Sequence, residues 1–172
     1  TGRFLLGTSI PESKAKPRSS LISVSPIGLH GFVQPPHQIV RTDPKMHAIL
    51  PDPSNRYVFA TSCDGDLILR QRFDVATGLF SPNPLPPVRG KAMTGPRHFV
   101  FHPNNRFVYV LGEKDASIYT FGYDASAGAL HELQVVSALP PDFKDKQPTA
   151  ADLHLTPDGR FLYASVRASH TL

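Results

Sequence analysis

The chain of 172 residues lacks tryptophan, long apolar runs and all but one cysteine. With Cys63 alone, an internal disulfide and a zinc site built from several cysteines are excluded, and a reducing compartment such as the cytoplasm is favoured. No apolar run approaches the roughly 20 residues that a membrane helix needs, so no membrane contact is expected. No segment sustains a 3.6-residue apolar period, and the helix content should therefore be near zero.

Signatures of several common chemistries are absent as well. No serine stands in a GxSxG context, no histidine pair has the HExxH spacing, and no phosphate-binding glycine loop is present. The formal net charge is +4, but the basic residues form no stripe and no aromatic-rich RNA-binding motif accompanies them, so nucleic acid is not an expected partner. A slightly basic surface would explain this charge; the functional alternative is the attraction of a small anionic substrate.

An internal repeat dominates what is present. Four segments align, namely GRFLLGTS from Gly2, NRYVFATS from Asn55, NRFVYVLG from Asn105 and GRFLYASV from Gly159, with their arginines 53, 50 and 54 residues apart. A second marker agrees, because FDVATGLF and YDASAGAL place Gly78 and Gly128 fifty residues apart. Units of about 50 residues with four short strands each are typical of β-propeller blades. A β-sandwich also has many short strands, but the fixed repeat favours the propeller.

The repeat predicts an all-β fold of four-stranded antiparallel blades. Residues 1–46 would hold the tail of one blade, residues 47–94 and 95–148 a blade each, and residues 149–172 the start of the next. Propellers close a ring with typically 4–8 blades, so about three blades would leave apolar faces open. We expect the chain to be part of a longer ring, with the remaining blades or self-association covering those faces.

Two positions of the repeated hairpin change from unit to unit. Nine residues before the repeat arginine stand His47, Arg97 and Ala151, and seven residues after it stand Cys63, Glu113 and Arg167. Both positions fall at the open end of the hairpin, away from its turn, so in a propeller they would converge on one mouth of the central channel. His47, Arg97, Glu113 and Arg167 are therefore the candidate catalytic residues. A wet channel mouth or a structural salt bridge is the plain alternative.

Further polar residues stand next to these positions. His98 follows Arg97 directly, Asp152 aligns with it in the next unit, and Lys114 follows Glu113. These three are candidates for substrate binding, and His154 is a weaker one. His102 lies in the turn at the opposite end of the hairpin, where capping the turn is its expected role.

The stretches GPRHFVFHPNNRFVYVLGE and PTAADLHLTPDGRFLYASVRAS resemble the seven-bladed propeller lactonase family, whose members include bacterial 6-phosphogluconolactonase and, more distantly, the fungal carboxy-muconate lactonizing enzyme. The resemblance is strongest from Gly95 to Ser169 and implies a ring of seven blades. In the lactonizing branch, a His and an Arg at strand starts and a Glu and an Arg at strand exits form the active site. By motif these are His47, Arg97, Glu113 and Arg167, although the family's usual His-Ser step is here His47-Ala48.

The resemblance implies hydrolysis of a phosphorylated sugar lactone, 6-phosphogluconolactone, to 6-phosphogluconate in carbohydrate metabolism. His47 or Glu113 would be the general base, and Arg97 and Arg167 would hold the phosphate or a developing oxyanion. Glu113 would alternatively orient the arginines, and no metal or organic cofactor is required. Two other functions stay open: a cycloisomerase acting on a carboxy-muconate, and a non-catalytic propeller that serves as an interaction platform.

Overall fold

The computed structural model describes residues 2–10, 19–90, 94–144 and 147–170. Fourteen strands and no helix occur in these ranges, so no helix that could cross a membrane is found among them. The strands are β1 (Phe4–Ser9), β2 (Ser20–Pro26), β3 (Gln38–Thr42), β4 (Met46–Pro51), β5 (Tyr57–Ser62), β6 (Leu67–Asp74), β7 (Leu79–Pro82), β8 (Val88–Arg89), β9 (Pro96–Phe101), β10 (Phe107–Gly112), β11 (Ser117–Asp124), β12 (Ala129–Ser137), β13 (Ala150–Leu155) and β14 (Leu162–Val166).

The strands form four antiparallel sheets that follow one another along the chain. The first blade contains β1–β3, the second β4–β7 with β8 paired to β6, the third β9–β12, and the fourth β13 and β14. Within each of the last three blades the strands pair in sequence order, as a meander does. The first strands of these blades, β4, β9 and β13, lie side by side. Consecutive meanders whose first strands adjoin are the arrangement of propeller blades around a channel.

The hydrophobic core is divided into layers between successive blades. Ile22 and Val24 of the first blade pack with Val58 and Ala60 of the second. The next layer joins Phe59 of the second blade to aromatic and aliphatic residues of the third, and the last joins the third to the fourth. The second and third blades are apolar on both faces because each contributes to two such layers, which explains why β5 is buried along its whole length.

The repeat has two markers, an arginine and a glycine, with one period. A contact between the hairpin of one blade and the turn between the third and fourth strands of the next blade, here called the outer turn, explains why they occur together. Arg56 donates to the carbonyl oxygen of Ala125 at 2.7 Å, and Tyr57 donates to that of Ser126 at 2.9 Å. The ring of Tyr57 lies against Gly128, where a Cβ atom would come within 2.7 Å of it. Arg3, Phe4 and Gly78 repeat this arrangement one blade earlier.

Each first strand begins with an irregularity that positions the candidate site. The pairing register shifts between Met46 and Ala48 in β4, between Pro96 and Phe99 in β9, and between Ala150 and Leu153 in β13. In all three blades the first strand therefore holds one residue more than its partner strand, which is a β-bulge. A bulge turns side chains out of the regular alternation, and bulges are frequent next to active sites. His47, Arg97, His98 and Asp152 all lie within these bulges.

Candidate active site at the open ends of three hairpins

A backbone hydrogen bond recurs in three blades and ties the two variable positions together. Cys63 donates its backbone N–H to the carbonyl of Lys45 at 3.0 Å, Glu113 to that of Gly95 at 2.8 Å, and Arg167 to that of Thr149 at 3.4 Å. All three acceptors have a positive φ, between 50° and 59°. The residue that leaves the second strand is thereby held next to the bulge that begins the first strand. This bond is the structural reason that both variable positions lie at the same end.

Glu113 lies at the centre of the candidate site and contacts four basic side chains. Its Oε2 atom is 3.0 Å from Nε of Arg97 and 3.7 Å from Nε2 of His47. Its Oε1 atom is 3.3 Å from Nζ of Lys45 and 3.7 Å from a terminal nitrogen of Arg167. The contacts join three blades, since Lys45 and His47 belong to the second, Arg97 and Glu113 to the third, and Arg167 to the end of the fourth. The structure thus brings together all four candidate catalytic residues and adds Lys45.

The electrostatics of this group keep Glu113 ionised. Burial alone would raise the pKa of its carboxyl, but Lys45, then Arg97 and His47, outweigh that effect and lower the pKa below its usual range. The pKa of Lys45 is raised in turn, because the charges of Cys63 and Glu113 exceed the opposing effect of burial. Three permanent cations, Lys45, Arg97 and Arg167, therefore contact Glu113, and Lys45 also lies 4.0 Å from Asp64, so these three cations still outnumber the two carboxylates.

His47 is held in its neutral form. Burial is the largest cause that lowers the pKa of its imidazole, and the nearby charge of Arg97 lowers it further, while Glu113 opposes both. The side chain is 16% exposed, and its Nδ1 atom is buried without a hydrogen-bond partner among the described residues. Ala48 follows this histidine, where the family resemblance implies a serine, and it donates its backbone N–H to the hydroxyl of Thr61 at 3.2 Å.

The candidate binding residues His98 and Asp152 form a second group beside the first. Nδ1 of His98 lies 2.6 Å from Oδ1 of Asp152, and Nε2 of His154 lies 3.0 Å from Oδ2 of the same carboxylate. The hydrogen bond to His98 is the main reason that the pKa of Asp152 lies well below its usual range. The ring of His98 also stands edge-on to the ring of His47, with centroids 5.4 Å apart. The two groups therefore adjoin at the same end of the blades.

Lys114, the third candidate for substrate binding, lies apart from the carboxylate of Glu113. Its Nζ atom is 3.7 Å from Oδ1 of Asp64 and 4.0 Å from Oδ1 of Asp66. Asp64 also lies 4.0 Å from Nζ of Lys45, so it links Lys114 to the edge of the Glu113 group. His154, the weaker candidate, is 76% exposed, and in the described part of the chain its contact with the site is through Asp152. His102, expected to cap its turn, accepts the backbone N–H of Asn104 at 3.1 Å and contacts the carbonyl of Gly159 in the next blade.

Sequence reasoning missed Lys45, Asp64 and Thr61. Lys45 stands eleven residues before its repeat arginine, where the neighbouring units have Gly95 and Thr149, so comparison of this third variable position would have found it. Thr61 donates its hydroxyl to the backbone carbonyl of Arg97 in the next blade, a contact between side chain and main chain that leaves no sequence pattern.

Comparison with known proteins identifies the class and then the family. The chain matches the family model "Lactonase, 7-bladed beta-propeller" over residues 14–172, and it belongs to this family. It is 39% identical to a 6-phosphogluconolactonase of Pectobacterium carotovorum over 172 residues, covering 99% of this chain and 49% of that protein. It is 33% identical to a 6-phosphogluconolactonase of Yersinia pestis, of which it covers 48%. The chain thus spans about half the length of the curated relatives it matches.

Solved structures agree with this assignment. The periplasmic gluconolactonase of Pseudomonas aeruginosa superposes with a TM-score of 0.82 at 25% identity, over 95% of this chain and 47% of that one. A protein of Lactobacillus plantarum superposes with a TM-score of 0.77 at 23% identity, over 93% of this chain and 50% of that one, and supports the fold. The predicted all-β propeller fold and the predicted family are both confirmed.

Proposed function

We propose that the protein to which this chain belongs hydrolyses a phosphorylated sugar lactone, converting 6-phosphogluconolactone to 6-phosphogluconate. The relatives that match the whole chain are named for this activity. The observation in the chain itself that supports it is the Glu113 group, in which Lys45, Arg97 and Arg167 exceed the charge of the carboxylate they share. A surplus of fixed cations at the mouth of a channel favours an anionic substrate.

The arginines fit the binding of phosphate or of a developing oxyanion. Arg97 uses Nε to contact Glu113, which leaves the two terminal nitrogens of its fork without an acceptor among the residues that the structure describes. Arg167 is 53% exposed and reaches the group from the fourth blade. Guanidinium forks bind phosphate and carboxylate oxygens in pairs, and they do so with least loss of entropy when another contact already holds them. Glu113 supplies that contact for both arginines.

The protonation states of the two candidates favour His47 over Glu113 as the general base. Glu113 is stabilised as a carboxylate by its neighbours, so it is a weak acceptor and acts as a positioning residue. His47 is neutral at pH 7 because burial and Arg97 lower its pKa, and a neutral imidazole accepts a proton from water. In this scheme the oxygen of water bonds to the lactone carbonyl carbon, its proton moves to His47, and Arg97 stabilises the charge on the carbonyl oxygen.

The ion pairs of the same group favour a second candidate, a non-catalytic interaction platform. In that case the five side chains, Glu113 and the four basic ones around it, would serve only to join three blades. Removing one charge distinguishes the platform from the lactonase. In a platform the substitution would change only the stability of the fold, whereas in a lactonase it would also lower the activity. In the cycloisomerase alternative the cations would bind the carboxylates of a carboxy-muconate in place of the phosphate. Assays with both 6-phosphogluconolactone and carboxy-muconates distinguish the two enzymes.

In this proposal the blades described above are part of a larger propeller ring, and the remaining blades complete the site. Phe161, which directly precedes β14, and Tyr163 on that strand are each 54% exposed. Phe161 is the counterpart of Tyr57, which packs against the next blade. We propose that further blades, or a second copy of the chain, cover this face. Sedimentation of the 172-residue chain should show association; a stable monomer would contradict self-association.

Activity assays on the product of the complete gene test the function. We expect hydrolysis of 6-phosphogluconolactone, no turnover of carboxy-muconates, and a loss of about 10²-fold in kcat/KM for Arg97→Ala. The matched control is Arg106→Ala, because Arg106 belongs to the same hairpin, lies at its opposite end and stacks on Phe107. Equal activity of the wild type and Arg97→Ala would remove Arg97 from the site, and an inactive wild type would favour the platform. Location in the cytoplasm, proposed from the single cysteine, is tested by fractionation of cells.

A further inference from the structure

We propose that His98, positioned by Asp152, is a catalytic general acid that protonates the leaving ring oxygen of the lactone. This inference rests on the proposed lactonase function and adds a residue to it. Opening a lactone needs two proton transfers, one from the attacking water and one to the oxygen that leaves the carbonyl carbon. His47 accounts for the first transfer only.

The geometry around Asp152 holds His98 in one orientation. Oδ1 of Asp152 accepts from Nδ1 of His98 at 2.6 Å and from the backbone N–H of Leu153 at 2.8 Å. The backbone N–H of Asp152 donates to the hydroxyl of Ser165 at 3.0 Å, which fixes the strand in the bulge that presents this carboxylate. A carboxylate that accepts Nδ1–H directs the other ring nitrogen, Nε2, away from itself and balances the positive charge of the protonated ring.

The location of His98 suits the second transfer. Its ring is edge-on to that of His47, with centroids 5.4 Å apart, and His47 in turn lies 3.7 Å from Glu113, so both imidazoles lie at the same end of the blades. Its side chain is 32% exposed, twice the value for His47, which gives it access to a bound substrate. Among the described residues the ring of His98 is hydrogen-bonded through Nδ1 to Asp152 and not through Nε2, so Nε2 is available to a ligand.

The two histidines also differ in the charges that face them. His47 is next to Arg97 and to Glu113, which holds its own cations. His98 faces Asp152 from β13 and, through it, His154; Arg97 precedes it on β9, and His47 faces it from β4. The imidazole of His47 therefore stands next to a cation and that of His98 next to a carboxylate, so the two rings lie in different surroundings.

The proton balance closes over one turnover. The oxygen of water bonds to the carbonyl carbon and one of its protons moves to His47. The bond between that carbon and the ring oxygen breaks as Nε2 of His98 gives its proton to the oxygen. The products are the ring-opened hydroxy acid, a protonated His47 and a neutral His98. Transfer of the proton from His47 to His98, directly or through water, restores both residues.

The test uses the product of the complete gene with 6-phosphogluconolactone as the substrate and follows kcat, KM and the pH profile. For His98→Gln we expect kcat to fall about 10²-fold with KM within about threefold, and we expect the alkaline limb of the kcat/KM profile to disappear. Asp152→Asn, which keeps the shape and removes the charge, should lower kcat about 10-fold. A structural role would leave the shape of the pH profile unchanged.

His102→Gln is the matched control, because His102 follows the same strand and also contacts the fourth blade, through the carbonyl of Gly159 at 3.2 Å. It should keep both the wild-type kcat and the wild-type pH profile. An active wild type with an unchanged pH profile in His98→Gln would overturn the inference and leave the proposed function intact. A wild type without lactonase activity would overturn the proposed function and this inference with it.

Discussion

Lys45 of the second blade lies 3.3 Å from Glu113 of the third, and this contact between blades makes the carboxylate part of a shared site. Lys45 is the first cause, after burial, that sets the pKa of Glu113. Its own backbone has a φ of 52°, in the left-handed region, which turns the residue at the entry to β4. The lysine is thus oriented by the chain and held by the charge of its neighbour.

Lys45→Gln should weaken binding of the phosphorylated substrate. Removing a charge-assisted contact costs about 1.5–3 kcal/mol, so we expect KM to rise roughly tenfold or more with kcat within about threefold. Steady-state kinetics with 6-phosphogluconolactone measure this. Lys144→Gln is the control, since Lys144 is an exposed lysine and none of the described ion pairs of Glu113 involves it. An unchanged KM in Lys45→Gln would show that Lys45 only organises Glu113.

The fold was largely predictable because its contacts repeat. The arginine and glycine markers recur at intervals of 50 to 54 residues, and Arg3 and Arg56 each contact the turn between the third and fourth strands of the next blade. The four residues that vary between units are brought together because a recurring backbone bond holds each second-strand exit beside a first-strand bulge. Comparison of repeats could therefore separate the positions that build the blades from those that differ at one end.

The part of the candidate site that could not be predicted from the sequence depends on side-chain geometry, which the repeat does not encode. The pairing of His98 with Asp152 requires a bulge in both β9 and β13, and bulges leave no clear mark in the residue pattern. Sequence alignment placed the two residues at equivalent positions in their blades without showing that they contact each other. The choice between His47 and Glu113 as base depended on which one is surrounded by cations, which only the three-dimensional arrangement shows.

The pKa of His47 should respond in opposite directions to two neighbouring substitutions. Arg97 lowers this pKa, so Arg97→Gln should raise it; Glu113 raises it, so Glu113→Gln should lower it further. Both substitutions remove one charge and retain polar atoms, and each serves as the other's control. Titration of the imidazole Hε1 signal by NMR gives the values. Shifts in the same direction for both variants would contradict the arrangement of charges around His47.

Acid should weaken the fold through Glu113. The folded-state pKa of this carboxyl lies below its unfolded value of about 4.3, so the native state binds fewer protons than the unfolded state between the two values. Its contribution to stability is complete above about pH 4.3 and is lost as pH falls through the folded pKa. Glu113→Gln should cost about 1–3 kcal/mol at pH 7 and much less in acid.

Urea unfolding at a series of pH values measures this difference. The comparison variant is Glu132→Gln, because Glu132 is an exposed glutamate on the outer strand β12. It should follow the wild-type profile. A constant difference between the wild type and Glu113→Gln at every pH would show that the carboxylate charge does not stabilise the fold.

The contact between blades predicts a large difference between two glycine substitutions. Gly128 and Gly31 both have a positive φ, of 63° and 80°, so alanine is strained at either position. A Cβ atom at Gly128 would also come within 2.7 Å of the ring of Tyr57, whereas nothing lies within 4 Å at Gly31. Gly31→Ala should therefore cost about 1 kcal/mol, and Gly128→Ala a further 1–3 kcal/mol, because it pushes the aromatic ring out of the interface. Denaturant unfolding of both variants measures the difference, and equal losses would mean that Tyr57 moves aside freely and that the glycine is required for its backbone conformation alone.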